Sequence, residues 1–318
     1  MKNSAAPLQQ RSASADAISS PTQAMPAQQP FDWVGISLVV LSAAGFGTLG
    51  IFGKLAYSQG FDVASSLFWR VSGGAAMLWL WLLLRGQWRV PQRAAMSAFW
   101  LGAMVYTLQA AFFFCALTYA SAGITALLFF TYPAFAVLIR WLLVRQSIDR
   151  WQLLTLGLAF AGCVCTVNWR YETVSSVGIG LGMAAGAGYA LYLVLSARLV
   201  QRISAPQTAA WMLLGATLTM LGFLLAQRQL VVPASWAQIG TVGGLAAIAT
   251  AFPIVLLFIG LKRLGLISTA LISMLEPVLA VAMGIVLLGE ALWVGQAVGG
   301  SLILMAAFCL QARSRPQG

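Results

Sequence analysis

Beyond residue 32 the chain is a succession of long apolar runs separated by short polar joints. A bilayer-spanning helix needs about 20 mostly apolar residues. By that measure the runs cover about 33–53, 62–84, 95–116, 122–144, 151–168, 177–197, 207–226, 237–259, 266–288 and 291–311. The connections are too short to hold a soluble domain. The pattern therefore predicts an all-α integral membrane protein with ten transmembrane helices. Residues 1–30 break the pattern, being rich in Ser, Ala, Gln and Pro with almost no large apolar residue. They lack the apolar core of a cleavable signal peptide and read as a disordered tail. Residues 312–318 form a second, shorter tail.

Two runs are interrupted in the same way. In LGLISTALISMLEPVLAVAMGIVLLGE a carboxylate, Glu276, and a proline, Pro277, fall in the middle of an apolar stretch. A charge at that depth costs roughly 2.5–3.5 kcal/mol on insertion scales and normally faces protein or water. The proline removes a backbone donor and loosens the helix. The earlier stretch ITALLFFTYPAFAVLIRWLLVRQ places Tyr132 and Pro133 at the matching point. Paired helix breaks at equivalent places in two halves mark a transporter whose site lies at the midplane.

The halves also match residue by residue. Positions 114–152 and 258–296 align without a gap at an offset of 144 and share ten identities, including Thr125-Ala126-Leu127 with Thr269-Ala270-Leu271 and Pro133 with Pro277. Residues 33–168 and 177–311 are thus expected to be two repeats of five helices each. An odd number of spans per copy inverts the second relative to the first.

Charge fixes an expected orientation. With the N-terminus inside, the cytoplasmic side receives Lys2, Arg11, Arg85, Arg89, Arg93, Arg140, Arg145, Arg150, Arg198, Arg202, Lys262, Arg263, Arg313 and Arg315. The opposite side receives only Lys54, Arg170 and Arg228, which places both termini in the cytoplasm. Trp33, Trp88, Trp141, Trp151, Trp169, Trp236 and Trp293 fall near span ends, as interfacial belts do.

Composition narrows the chemistry. Hydrophobic residues are 60% of 318 positions, charged residues 8%, and the mean hydropathy is +0.87. A soluble domain carries about 25% charged residues. The net charge of +11 is dispersed between apolar runs rather than gathered into a patch, which argues against nucleic acid. There is no histidine, which excludes histidine proton relays and serine–histidine catalysis and removes most zinc sites. Cys115, Cys163, Cys165 and Cys309 lie inside apolar runs and read as small hydrophobes. No cofactor or metal site is expected.

The chain resembles the EamA-like branch of the drug/metabolite transporter superfamily. The stretches that carry the likeness are GFGTLGIFGKLA with Arg70 downstream, CALTYASAGITALLFFTYPAF, GAGYALYLVLSARL and LKRLGLISTALISMLEPVLAVAMGIVLLGEALWVGQAVGGSLIL. The likeness runs from Trp33 to Gln311. It departs at Arg145-Gln146, where the family's first repeat often has Gly-Glu. The resemblance implies a carrier that moves small metabolites, most often outward, by alternating access, and it implies residence in a bacterial inner membrane.

The candidate site residues are few. Glu276 lies about 15 Å from either face at 1.5 Å per residue. Its carboxyl either bonds to a neighbouring helix or lines a cavity, there meeting a substrate cation or carrying a coupling proton. Tyr132 offers a ring and a hydroxyl at the same depth. Arg70, next to Trp69, is too deep for easy snorkelling and needs a carboxylate, carbonyls or water. Lys54 matches a basic position of the family's first repeat and is either an end anchor or a gate. GFGTLG is literally G-x-G-x-x-G, yet it lacks the strand and soluble surroundings of a dinucleotide fold. With Gly178, Gly182 and Gly186 it reads as a seam of closely approaching helices.

The expected function is a secondary transporter that exports an amino acid or related small organic solute. The expected partners are that solute, the lipid bilayer and a coupling proton. The alternative is a non-transporting membrane assembly partner or sensor.

Overall fold

The computed structural model describes residues 32–116, 118–120, 122–144, 150–166, 175–228, 230–288 and 294–313. The 1–30 tail, most of the 312–318 tail, Arg170, Arg145-Gln146 and their counterpart Gly289-Glu290 lie outside the described residues. Thirteen helices make up the described chain, with no β-strand among the described residues. Their bounds are α1 Trp33–Gly47, α2 Leu49–Ser58, α3 Val63–Leu84, α4 Gln92–Ala116, α5 Ala122–Phe129, α6 Tyr132–Val144 and α7 Arg150–Thr166. They continue as α8 Ser176–Leu199, α9 Ala205–Gln227, α10 Trp236–Leu264, α11 Leu266–Ser273, α12 Glu276–Leu288 and α13 Val294–Arg313. Taking α1–α2, α5–α6 and α11–α12 as interrupted single rods, eight helices are long and apolar enough to cross a membrane. The apolar windows Leu153–Cys165 of α7 and Val294–Ala306 of α13 are shorter.

The offset of 144 recurs in four pairs of helices. α4 and α10 start at 92 and 236, α5 and α11 at 122 and 266, α6 and α12 at 132 and 276, and α7 and α13 at 150 and 294. The two sets of helices interleave rather than sit side by side. α1 packs on α10, α11 and α12, while α8 packs on α4, α5 and α6. α3 lies against α9 and α10, and α7 pairs with α13.

Between helices in lipid there is no hydrophobic drive to associate, so close approach and dispersion must do the work. Small residues mark every main crossing. A Cβ on Gly102 of α4 would overlap the Met212 carbonyl of α9, and one on Gly215 would overlap the Phe99 carbonyl in return. Gly45 meets Pro253 of α10, and Gly47 lies against Ala280 and Met283 of α12. Gly178, Gly182 and Gly186 abut Tyr119, Leu128 and the Phe129 carbonyl.

Three local features differ from the sequence reading. The first rod runs to Ser58 rather than about 53 and is broken at Thr48, whose hydroxyl donates to the Gly45 carbonyl at 2.6 Å. The joint expected after 259 shrinks to Gly265, which turns α10 into α11 at φ 77°. α4 and α10 each contain a π-helical turn, Leu101–Tyr106 and Ala247–Ala251. In both, a threonine hydroxyl donates to the carbonyl five residues back. Thr107 reaches Gly102 at 2.9 Å and Thr250 reaches Leu245 at 2.8 Å. A wide turn of this kind re-aims the side chains that follow it.

Candidate functional site

The two proline breaks have one geometry. α5 ends at Phe129 and α6 restarts at Tyr132; α11 ends at Ser273 and α12 restarts at Glu276. In each rod two turn residues intervene and the proline follows the first residue of the new helix. Lacking an N–H, Pro133 and Pro277 cannot bond the Phe129 and Ser273 carbonyls. Gly186 brings α8 against the first break, where a Cβ would stand 3.0 Å from the Phe129 oxygen. The backbone geometry thus makes Tyr132 and Glu276 the first side chains after an opened turn.

Their side chains fare differently. Tyr132 is 1% exposed, and its hydroxyl donates to the Ala270 carbonyl of α11 at 3.0 Å. That bond ties one broken rod to the other. Glu276 is half-buried, and no hydrogen bond or ion pair reaches its carboxylate among the described residues.

Arg70 is the opposing charge. It extends from α3, half-buried, and its guanidinium is held from two sides. Nε donates to Thr250 Oγ1 of α10 at 2.9 Å, and Nη2 donates to the Tyr106 hydroxyl of α4 at 2.6 Å. Tyr106 and Thr250 are separated by 144, so one arginine bridges equivalent positions in the two sets of helices, each at the end of a π turn. Arg70 and Glu276 are near enough for their charges to interact without forming an ion pair.

A run of stacked aromatic rings leads from the partner of Arg70 to Tyr132. Tyr106 packs on Tyr192 at 5.7 Å between centroids, Tyr192 on Tyr189 at 5.3 Å, and Tyr189 on Tyr132 at 4.8 Å. Tyr189 and Tyr192 are three apart on α8 and therefore share a face. Tyr189 is half-buried and has no hydrogen-bond partner for its hydroxyl among the described residues. Gln109 of α4 adds a buried Oε1 that also lacks a partner among the described residues.

The remaining candidates stand apart. The Trp69 indole donates to the Val231 carbonyl at 2.8 Å, and its ring packs on the small cluster of Ala56, Phe61 and Val242. It fastens the 230–235 connection rather than facing Glu276. Lys54 is exposed on α2. Tyr106, Thr250, Tyr189 and Tyr192 were not singled out from sequence. The available signals were the separation of Tyr106 from Thr250 and the three-residue spacing within GYALYL.

One fixed cation, one carboxylate without a hydrogen-bond partner among the described residues and a run of stacked tyrosines thus come together inside a multi-helix apolar body. The model of the EamA-like transporter family matches residues 33–168 and 176–311, and the chain belongs to that family. It is similar to an uncharacterized transporter of Archaeoglobus fulgidus, 28% identical over 272 residues that cover 85% of this chain and 93% of the relative. The uncharacterized transporter YcbK of Bacillus subtilis is 26% identical over 277 residues, covering 83% and 88%. An uncharacterized transporter of Synechocystis is 27% identical over 306 residues, covering 85% and 91%. A solved crystal structure shares the fold at a TM-score of 0.74 and 19% identity, with 89% of this chain and 98% of that one covered.

Proposed function

We propose that the chain is a secondary transporter of ten spans, built as two inverted five-helix repeats over 33–168 and 177–311. It exports a small organic solute, an amino acid or a relative of one, by alternating access around the Arg70–Glu276 cavity. Both termini face the cytoplasm of a bacterial inner membrane. The proposal gives the chain transport and no catalysis.

The observation that carries this reading is the carboxylate of Glu276, without a partner among the described residues, within charge-interaction range of a guanidinium held by Tyr106 and Thr250. A zwitterion matches that charge pair, with its carboxylate toward Arg70 and its ammonium toward Glu276. Glu276 can exchange its proton when the solute leaves, which couples flux to a proton gradient. Interleaved packing of the repeats lets one set of rods rock against the other around a fixed site.

The test compares solutes released by bacteria that overproduce the chain with those released by its Glu276→Ala variant at matched expression. A solute enriched outside only with the intact chain supports the reading. Equal enrichment from both removes Glu276 from the path, and enrichment from neither, repeated with purified protein in liposomes, removes export.

A further inference from the structure

Basic residues that are dispersed along the sequence are gathered by the fold at one end of the bundle, away from the proposed transport site. The end of α3, the start of α4, the end of α8 and the start of α9 meet there. Arg85, Arg89, Arg93, Arg198 and Arg202 are all exposed on these four ends. None has an ion-pair partner among the described residues. The sequence contains no Asp or Glu between Asp62 and Asp149, nor between Glu172 and Glu276. Two helix N-termini and two C-termini converge, so their dipoles offset one another and the arginines set the potential.

The corner is rigid. Gly86 adopts φ 64°, with its N–H on the Leu83 carbonyl at 3.1 Å and the Gln87 N–H on Leu82 at 2.9 Å, which closes α3 in a fixed turn. Gln207, part of the capping box that starts α9, donates its amide to the Gln87 carbonyl at 2.7 Å. Two guanidiniums rest on indole rings, Arg85 at 5.9 Å from the Trp81 centroid and Arg89 at 5.1 Å from Trp88. Such stacking limits where the charges can go.

The surroundings suit a lipid rather than a soluble anion. α3 is a membrane span that ends at Leu84, so Arg85 stands at headgroup depth. Trp81 and Trp88 are 40% and 44% exposed, and Leu80, Leu83 and Leu84 beside them are 59%, 56% and 79% exposed. Indoles at the interface with an apolar wall below them fit a headgroup with its acyl chains. The equivalent corner on the opposite end, around the 228–235 connection, carries Arg228, with the acidic Asp62 held on the same end by Ser65, which also accepts the Val231 N–H, and it has no such array among the described residues.

We infer that the α3–α4 and α8–α9 corner is a binding site for the phosphodiester headgroup of an anionic phospholipid. The arginines hold the phosphate oxygens, Trp81 and Trp88 fix its depth, and Leu80 and Leu84 receive the acyl chain. The inference rests on the membrane-spanning reading and is independent of the transported solute.

The full chain, purified in a neutral detergent, is heated with added phosphatidylglycerol, phosphatidylcholine or inorganic phosphate. Phosphatidylglycerol is expected to raise the unfolding midpoint by about 3 °C, and the other two not to. Each basic residue near an anionic surface contributes about fivefold to affinity, so Arg85→Gln/Arg89→Gln/Arg93→Gln together weaken the dependence on phosphatidylglycerol by about 100-fold. Lysine at the same three positions retains most of it, as does Arg228→Gln on the opposite corner. If the triple glutamine variant does not fold, the single Arg93→Gln change with a salt titration reads the same site. An equal shift with phosphatidylcholine, an equal shift with inorganic phosphate, or an undiminished shift in the glutamine variants each overturns the inference.

Discussion

The two broken rods share a backbone and differ in chemistry. Each pauses for two residues, each restarts on a residue followed by proline, and the positions differ by 144 throughout. At Tyr132 the opened turn is closed again by a buried hydroxyl bonded to Ala270, a contact that joins the rods. At Glu276 no such bond forms, and the carboxylate meets no hydrogen-bond or ion-pair partner among the described residues. The same backbone device stands twice in the chain, once as a fastening and once with a carboxylate that has no partner among the described residues. The carboxylate of the transport chemistry proposed here therefore belongs to the second half, the first supplies Arg70, and both give tyrosines to the cluster between them.

The harshest way to break the comparison is to exchange the chemistry. Tyr132→Glu puts a carboxylate where the environment is sealed and no cation waits, a change expected to cost about 3 kcal/mol or more. Little folded protein should be recovered, as read by size-exclusion profile and thermal unfolding. A stable, monodisperse Tyr132→Glu would mean that the first break is as open as the second.

Next in size is Glu276→Gln, which keeps the shape and removes the charge. Uphill solute movement in proteoliposomes is expected to fall about 100-fold, a loss of the order expected when a key interaction of about 3 kcal/mol goes. Exchange of solute across the membrane should persist, because a neutral side chain no longer needs to shed a proton. Uphill accumulation by that variant would end the coupling proposal.

The bridge from Arg70 to both sets of helices tests whether the halves act together. Thr250→Val and Tyr106→Phe each take one bond from a charged donor, worth about 1.5–3 kcal/mol. Each should raise the KM for the transported solute about tenfold or more, and Thr250→Ser should restore it. A change in only one of the pair would assign Arg70 to a single half.

Much of this arrangement was legible before any coordinates, and the remainder was not for identifiable reasons. Span lengths follow from the thickness of the bilayer, and Pro133 and Pro277 announce their breaks because a missing N–H is a local property. The break at Thr48 has no proline; it comes from a hydroxyl that competes for the Gly45 carbonyl, which many threonines can do without ending a helix. The π turns leave no periodic signature, since one extra residue in a long apolar run changes no pattern. Tyr106 and Thr250 are not identical to each other, so an alignment by identity passes over the pair that holds Arg70. Contacts made by side chains from α3, α4 and α10 arise from how rods cross, which hydropathy does not encode.

Tyr132→Phe isolates the fastening. It removes one hydrogen bond inside a well-packed aromatic cluster and should lower stability by about 1 kcal/mol while leaving transport close to that of the intact chain. Loss of transport from a well-folded Tyr132→Phe would give the two breaks equal standing in the mechanism.

The smallest effect concerns how the start of α1 is held. Asp32 caps α1 by accepting the Gly35 N–H at 2.9 Å and pairs with Arg263 at 2.6 and 2.9 Å. At the equivalent point Ser175, before α8, uses a backbone bond to Tyr119 at 3.1 Å instead. One end is therefore pH-sensitive and the other is not. The Arg263 guanidinium first, and the Gly35 N–H second, hold the Asp32 carboxyl below its ordinary value. A depressed carboxyl stabilises the fold above its unfolded value, near 3.9, and that contribution is lost as pH falls through the lower folded value. The pair is partly exposed, so solvent and salt screen it and its contribution is small. Asp32→Asn should then lower the unfolding midpoint slightly at pH 7 and converge with the intact chain below about pH 3. A gap that persists unchanged down to pH 3 would mean that the cap geometry, and not the ion pair, holds α1 in place.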